Sequence, residues 1–219
     1  MCVLNKNEIH ELCEKNNLLQ PHNPKNIKYA SYDLTVGEEC RLASEKRVKK
    51  VGKNGVVEIP PYEVCFTLTE EKINLPNDVC ALLFSRIRGM KEGFLMHPQP
   101  PIDPGFSGRL CILIHNLSNK TIKLCRGEHI ASIVFLRLHS SLKEGYGSNA
   151  DDKYKEAESL EDIVSDAVYT PALGETVKEL RKTVENWRET FLSKWMPAIL
   201  VIITILLMII TILLMIKVE

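Results

Sequence analysis

From Met196 to Ile216 the chain reads MPAILVIITILLMIITILLMI, without a single charged side chain. About twenty such residues in a helix span roughly 30 Å, the thickness of a bilayer's hydrocarbon core. A core helix of a globular domain is the other reading, but core helices rarely run this long and this apolar. The run lies far from the N-terminus, where a secretory signal belongs. It is therefore expected to be a single transmembrane helix, 196–216, that anchors the remainder of the chain to a membrane. Arg188 and Lys194 precede the run, and Lys217 and Glu219 follow it. That weak excess of positive charge on the near side expects the main domain in the cytoplasm. Seven cysteines with no C-x-x-C pair suggest neither a disulfide framework nor a zinc site, and fit a reducing compartment.

Lys plus Arg and Asp plus Glu both number 28. The balance gives no global field to draw in a polyanion, so no nucleic-acid partner is expected. Residues 4–17 place Ile9, Leu12 and Cys13 on one helical face, with Asn5 or Asn7 available as N-cap. Pro21 and Pro24 end any helix there. Between Tyr32 and Leu138 the texture changes. VVEI, YEVCFTL, VCALLF, RLCILIHNL, TIKL and HIASIVFLRL are short apolar runs broken by Pro, Gly and Asn turns. Many short strands at such spacing predict an antiparallel sandwich or barrel.

Residues 156–173 carry acids and no Lys or Arg, and read as a solvated linker or loose helix. In 174–195, Val177, Leu180, Val184, Trp187 and Phe191 keep the alternating three- and four-residue spacing of a coiled-coil seam. Three heptads are a minimum, so a helix packed on its own domain or lying on the membrane surface is the competing expectation.

Four stretches appear in order: ASYDLTVGEE from Ala30, PYEVCFTLTEEKINLPNDV leading into SRIRGMKEGF from Ser85, IDPGFSG from Ile102 followed by GEHIASIVF, and GYGSNADDKY from Gly145. In that order and spacing they resemble the dCTP deaminase branch of the trimeric dUTPase superfamily. The resemblance covers about residues 3–155. It implies a mainly β fold, a distorted antiparallel β-barrel with a short N-terminal helix, here extended by a helical stalk and one transmembrane helix. It also implies a homotrimer whose sites lie between subunits and bind a deoxynucleoside triphosphate, with Mg²⁺ held through the phosphates. The deaminases of this family use no zinc, in keeping with the lack of a zinc-deaminase signature here.

Carried over by position, the resemblance makes Asp103 the carboxylate that activates water in dUTP hydrolysis, a general-base role. Arg86, Lys91, Tyr146 and Lys153 become the groups that grip the triphosphate, and Phe106 the aromatic against base and sugar. Asp33 is either structural or helps organise the metal site. The departures are chemical. The family's R-S-S-L-A-R is here Arg86-Ile87-Arg88-Gly89-Met90-Lys91. Ile87 cannot donate the serine's hydrogen bond, and Lys91 keeps charge without the guanidinium fork. The proline-rich stretch before Asp103 is shorter than in relatives, which bears on base selectivity. Deaminases carry a proton-shuttling glutamate where this chain has Leu113. General acid–base catalysis contributes about 10²–10⁴-fold, so the substitution argues against dCTP deamination. His115 shares a strand face with Leu113 and is either a substitute base or a half-buried strand histidine. The expectation is a membrane-tethered, dUTPase-like hydrolase that converts dUTP to dUMP and diphosphate. The alternatives are a catalytically inactive nucleotide sensor and a trimerisation module.

Overall fold

The computed structural model describes residues 2–45, 47–146, 159–164 and 172–216. Two compact units divide the chain, Met1–Pro171 and Ala172–Glu219.

The first unit opens with β1 (Cys2–Val3) and α1 (Lys6–Asn16). Asn5 caps α1: its side-chain oxygen accepts from the N–H groups of Asn7 and Glu8, and the Glu8 carboxylate accepts from the Asn5 N–H. This reciprocal arrangement satisfies donors that a helix start leaves open. Ile9 and Cys13 bury the inner face of α1, and Asn17 closes it in the left-handed conformation. The strands that follow are β2 (Leu19–Gln20), β3 (Tyr32–Leu42), β4 (Lys49–Lys50), β5 (Val56–Ile59), β6 (Val64–Asn74) and β7 (Val79–Ser85). After the short α2 (Ile87–Glu92) come β8 (Phe94–Met96), β9 (Ser107–Asn116), β10 (Ile122–Cys125) and β11 (His129–Arg137).

Nine of these strands form one curled antiparallel sheet in the order β1-β11-β3-β6-β9-β8, with β2, β4 and β7 pairing at its sides. β5 and β10 form a separate ribbon. Every strand read from the sequence is present, and the fold is mainly β as expected, its curled antiparallel sheet forming a half-barrel where a distorted barrel was expected. Two apolar clusters fill it. Tyr32, Leu34, Ile73, Ile133 and Phe135 pack with α1, while Val36, Ile59, Ile112, Ile114 and Leu124 fill the other half. Polar groups inside are satisfied locally. Glu71 on β6 accepts from the Thr35 N–H (2.9 Å), the Thr35 hydroxyl (3.0 Å) and the Tyr32 hydroxyl (3.3 Å). Burial lifts its pKa above the usual carboxylate range, and those donors limit the rise.

A third cluster alters the reading of the acidic segment. α3 (Leu160–Val164) falls within the stretch expected as a solvated linker. It lays Leu160 and Val164 against Phe66, Leu68 and Leu113, and both are buried. The Leu160 N–H donates to the Glu39 carboxylate at 2.7 Å. Glu161 and Asp162 are exposed while Leu160, Ile163 and Val164, at i, i+3 and i+4, supply the docking edge.

The second unit is helical: α4 (Ala172–Thr190), a π-turn at Phe191–Trp195, and α5 (Met196–Ile216). Among the described residues this is the one helix long and apolar enough to cross a membrane.

Leu160 carries the docking of α3. Leu160→Ala is expected to cost about 2–5 kcal/mol of that contact. Hydrogen exchange should show amides 161–164 losing protection while β6 and β9 keep theirs; unchanged protection in α3 would contradict the assignment.

Candidate functional site

The sheet order determines which of the expected site residues meet. Ser132 on β11 sits opposite Asp33 on β3, and Ala131 opposite Ser85 on β7. Arg86 follows Ser85 directly, so its guanidinium reaches across β11 to Asp33 and pairs with Oδ1. The Ser132 hydroxyl donates to the same oxygen at 2.7 Å, and Lys28 Nζ lies 3.6 Å from Oδ2. Burial pushes the Asp33 pKa up, but the Ser132 hydrogen bond and the Arg86 and Lys28 charges outweigh it and leave it below the usual range. Asp33 Oδ2 has no hydrogen-bond partner among the described residues. Asp33 thus holds Arg86 in place. The two candidates of the sequence meet each other.

A second place gathers Asp103, Phe106 and Tyr146. They line a cavity of about 320 Å³ together with Gln99, Arg109, Cys111 and Ile163. A tight turn builds it. The Phe106 N–H donates to the Asp103 carbonyl at 3.2 Å, and Gly105 takes φ +85° at the turn's third position. A Cβ on Gly105 would lie 2.8 Å from Gly145 Cα and from the Tyr146 nitrogen. Gly105 and Gly145 therefore let the two backbones touch, and the Tyr146 N–H donates to the Pro104 carbonyl at 2.6 Å. This contact seats Tyr146 beside Phe106, ring centroids 5.7 Å apart. Asp103 is exposed at the rim.

Arg86 and Lys91 do not line this cavity. Lys91 is exposed on α2, and Ile87, in the place of the family's serine, is 71% exposed. Lys153 lies outside the described residues. Leu113 is packed into the third cluster with Leu160 and Val164. His115 is half-buried beside His97, ring centroids 5.7 Å apart, and burial together with His97 lowers its pKa. Arg109 and Ile163 were not anticipated from the sequence, whereas Gln99 lies in the proline-rich stretch that was read as bearing on base selectivity. Arg109 was within reach of strand periodicity, because 109, 111 and 113 alternate onto one face of β9.

The walls of the cavity are mainly apolar, with an amide, a carboxylate, a guanidinium and a phenol at separate points. Such a lining suits a flat ring with a hydrogen-bonding edge. Neither Asp33 nor Asp103 belongs to a ready-made carboxylate cage. Among the described residues, the His and acidic side chains close enough to share an ion are His10, Glu14 and His22, and none lines the cavity.

Comparison with known proteins follows this geometry. A family model described as dCTP deaminase-like matches residues 3–138. A dCTP deaminase of Pyrococcus horikoshii is 35% identical over 132 residues, 60% of this chain and 83% of that protein. A dUMP-forming dCTP deaminase of Aquifex aeolicus is 29% identical over 164 residues, 70% of this chain and 89% of that one. The crystal structure of a 2'-deoxycytidine 5'-triphosphate deaminase from Agrobacterium tumefaciens superposes with a TM-score of 0.53 at 16% identity. That match covers 63% of this chain and 49% of that one, and speaks to the fold alone.

Two variants probe the site. Gly105→Ala should cost about 1–2 kcal/mol from its left-handed backbone alone and displace Tyr146, read as a lower melting temperature with altered tyrosine fluorescence. Asp33→Asn tests the ion pair. A carboxyl with a depressed folded pKa contributes stability above its unfolded pKa, and that stability is lost as pH falls through the folded value. The variant should therefore be less stable than the parent at pH 7, with the gap closing in acid. A constant gap across pH would contradict the pairing.

Proposed function

Since the chain belongs to the dCTP deaminase-like family, we propose that it is a membrane-tethered nucleotide enzyme that binds a pyrimidine deoxynucleoside triphosphate with Mg²⁺ and hydrolyses dUTP to dUMP and diphosphate. One observation carries the choice of hydrolysis over deamination. Leu113, at the deaminase glutamate's position, is buried against Phe66, Leu68, Leu160 and Val164, so the side chain at that place carries no proton to transfer. Asp103 meanwhile stays exposed on the cavity.

In this reading the base and sugar stack against Phe106, beside Tyr146. Asp103 takes a proton from water as the water oxygen bonds to the α-phosphorus. The bond from that phosphorus to the bridging oxygen breaks, and diphosphate leaves. Mg²⁺ would supply charge neutralisation on the triphosphate, held through the phosphates; among the described residues no cluster of acidic side chains lines the cavity. Arg86, Lys91, Tyr146 and Lys153 hold the triphosphate, and Asp33 fixes the Arg86 guanidinium for bidentate contact. Arg86 and the Asp103 cavity are separate places within one chain, so the reading requires neighbouring copies to complete each site, as a homotrimer does. Domain 1–155 performs this chemistry, 156–173 links it, 174–195 forms a stalk, and 196–216 anchors it in a bilayer with the main domain cytoplasmic.

A nucleotide sensor is the second reading. It is favoured by the exposed Ile87 where a phosphate-binding serine stands in relatives.

The test is residues 1–171 with Mg²⁺ and each deoxynucleoside triphosphate. Diphosphate release from dUTP is expected, reduced about 10²–10⁴-fold in Asp103→Asn. Leu113→Glu is expected to yield no ammonia from dCTP, because it inserts a charge into the α3 contact. Saturable binding without turnover supports the sensor, and ammonia release from dCTP by the unmodified protein contradicts the reading of Leu113.

A further inference from the structure

The second unit holds five threonines: Thr176, Thr183, Thr190, Thr204 and Thr211. Their spacings are all multiples of seven, so they occupy one heptad position throughout. Thr183 donates to the Glu179 carbonyl, Thr190 to Asn186, Thr204 to Val201 and Thr211 to Leu207 and Met208. With its hydroxyl bonded to its own helix, each of these four turns a methyl group outward, as a small apolar surface.

In α4 the threonines lie immediately before the seam residues. With Val177, Val184 and Phe191 as positions a, Leu180 and Trp187 are positions d. Thr176, Thr183 and Thr190 are positions g, and Arg181 and Arg188 are positions e. The a and d residues are all exposed in the single chain, from 38% at Val177 to 73% at Trp187. The charges flanking this face are of one sign on one side and absent on the other. Arg181 is balanced within its own helix by Glu185, at 3.5 Å.

We propose that residues 177–191 form a parallel seam with the same face of further copies of this chain. In a parallel bundle, e residues face g residues of the neighbour. Arginine then faces threonine, and no like charges meet. In an antiparallel bundle e faces e, which brings Arg181 and Arg188 against their counterparts. The like charges of Arg181 and Arg188 disfavour that orientation, while the threonines leave the parallel one free of repulsion and widen the apolar face. The seam runs as far as the π-turn. There the Met196 N–H bonds to the Phe191 carbonyl, an i→i+5 link that takes up one extra residue and re-phases the helix beyond. The proposal stands without the nucleotide chemistry, because it rests on α4 alone.

The experiment uses full-length protein in detergent. None of the native cysteines lies in 172–216; the exposed Cys2 and Cys125 are replaced by serine, so that an introduced cysteine reports on the tail. Leu180→Cys and Trp187→Cys are each expected to form disulfides between copies on mild oxidation. Lys182→Cys, on the outer face, should crosslink several-fold less. When the first two variants are coexpressed, mass spectrometry of the tail peptides should find 180–180 and 187–187 linkages. Predominant 180–187 linkages would overturn the parallel orientation. Equal crosslinking at 182, or no crosslinking at 180 and 187, would overturn the seam. A helix lying on a lipid surface would give that last result, with Trp187 emission of the vesicle-reconstituted protein quenched by lipid-phase probes.

Discussion

The register of β9 on β6 is the constraint on which both the core and the candidate site depend. Leu113 lies opposite Phe66, Ile112 opposite Thr67 and Cys111 opposite Leu68. This register turns Ile112 and Ile114 into the second apolar cluster. The opposite face then presents Arg109, Cys111 and Leu113, the first two to the cavity and the third to α3. A slip of one residue would exchange the two faces. It would expose the isoleucines and drive Arg109 into the core. The same pairing therefore fixes packing on one side and chemistry on the other.

The two candidate places differ in character. Around Asp103 the determinant is backbone proximity: two glycines in contact allow one loop to rest on another, and a tyrosine arrives beside a phenylalanine. Around Arg86 it is charge, with a buried aspartate orienting a guanidinium at the end of β7. Leu113 links the fold to the proposal against deamination. It is one part of an apolar contact that also holds Phe66, Leu68, Leu160 and Val164. A carboxylate at that position would leave a charge facing leucine and valine.

Strands were readable because each half-buried run alternates and ends at Pro, Gly or Asn. The cap at Asn5 was readable because Glu8 follows it at capping-box spacing. A loose helix was one reading of the acidic segment, but the docking of α3 was hidden by composition: five acids in 156–172 suggested solvation, while the apolar edge amounts to three residues, too few for a periodicity signal. The Asp33–Arg86 pair was invisible because it depends on β11 lying between β3 and β7, a non-local fact of sheet order. Motif positions offered candidates for the site, and said nothing of which would face one another within a chain. Lys153 lies outside the described residues.

The central claim is that Asp103 of one copy and Arg86 of another complete a single site. Subunit mixing tests it most directly. Asp103→Asn and Arg86→Gln chains, each inactive alone, are coexpressed and assayed for diphosphate release from dUTP. The account predicts partial recovery in the mixed assembly, because some sites then draw both intact residues from different chains. Mixed assemblies that form normally and recover nothing, or an unmodified protein that releases no diphosphate, would contradict it.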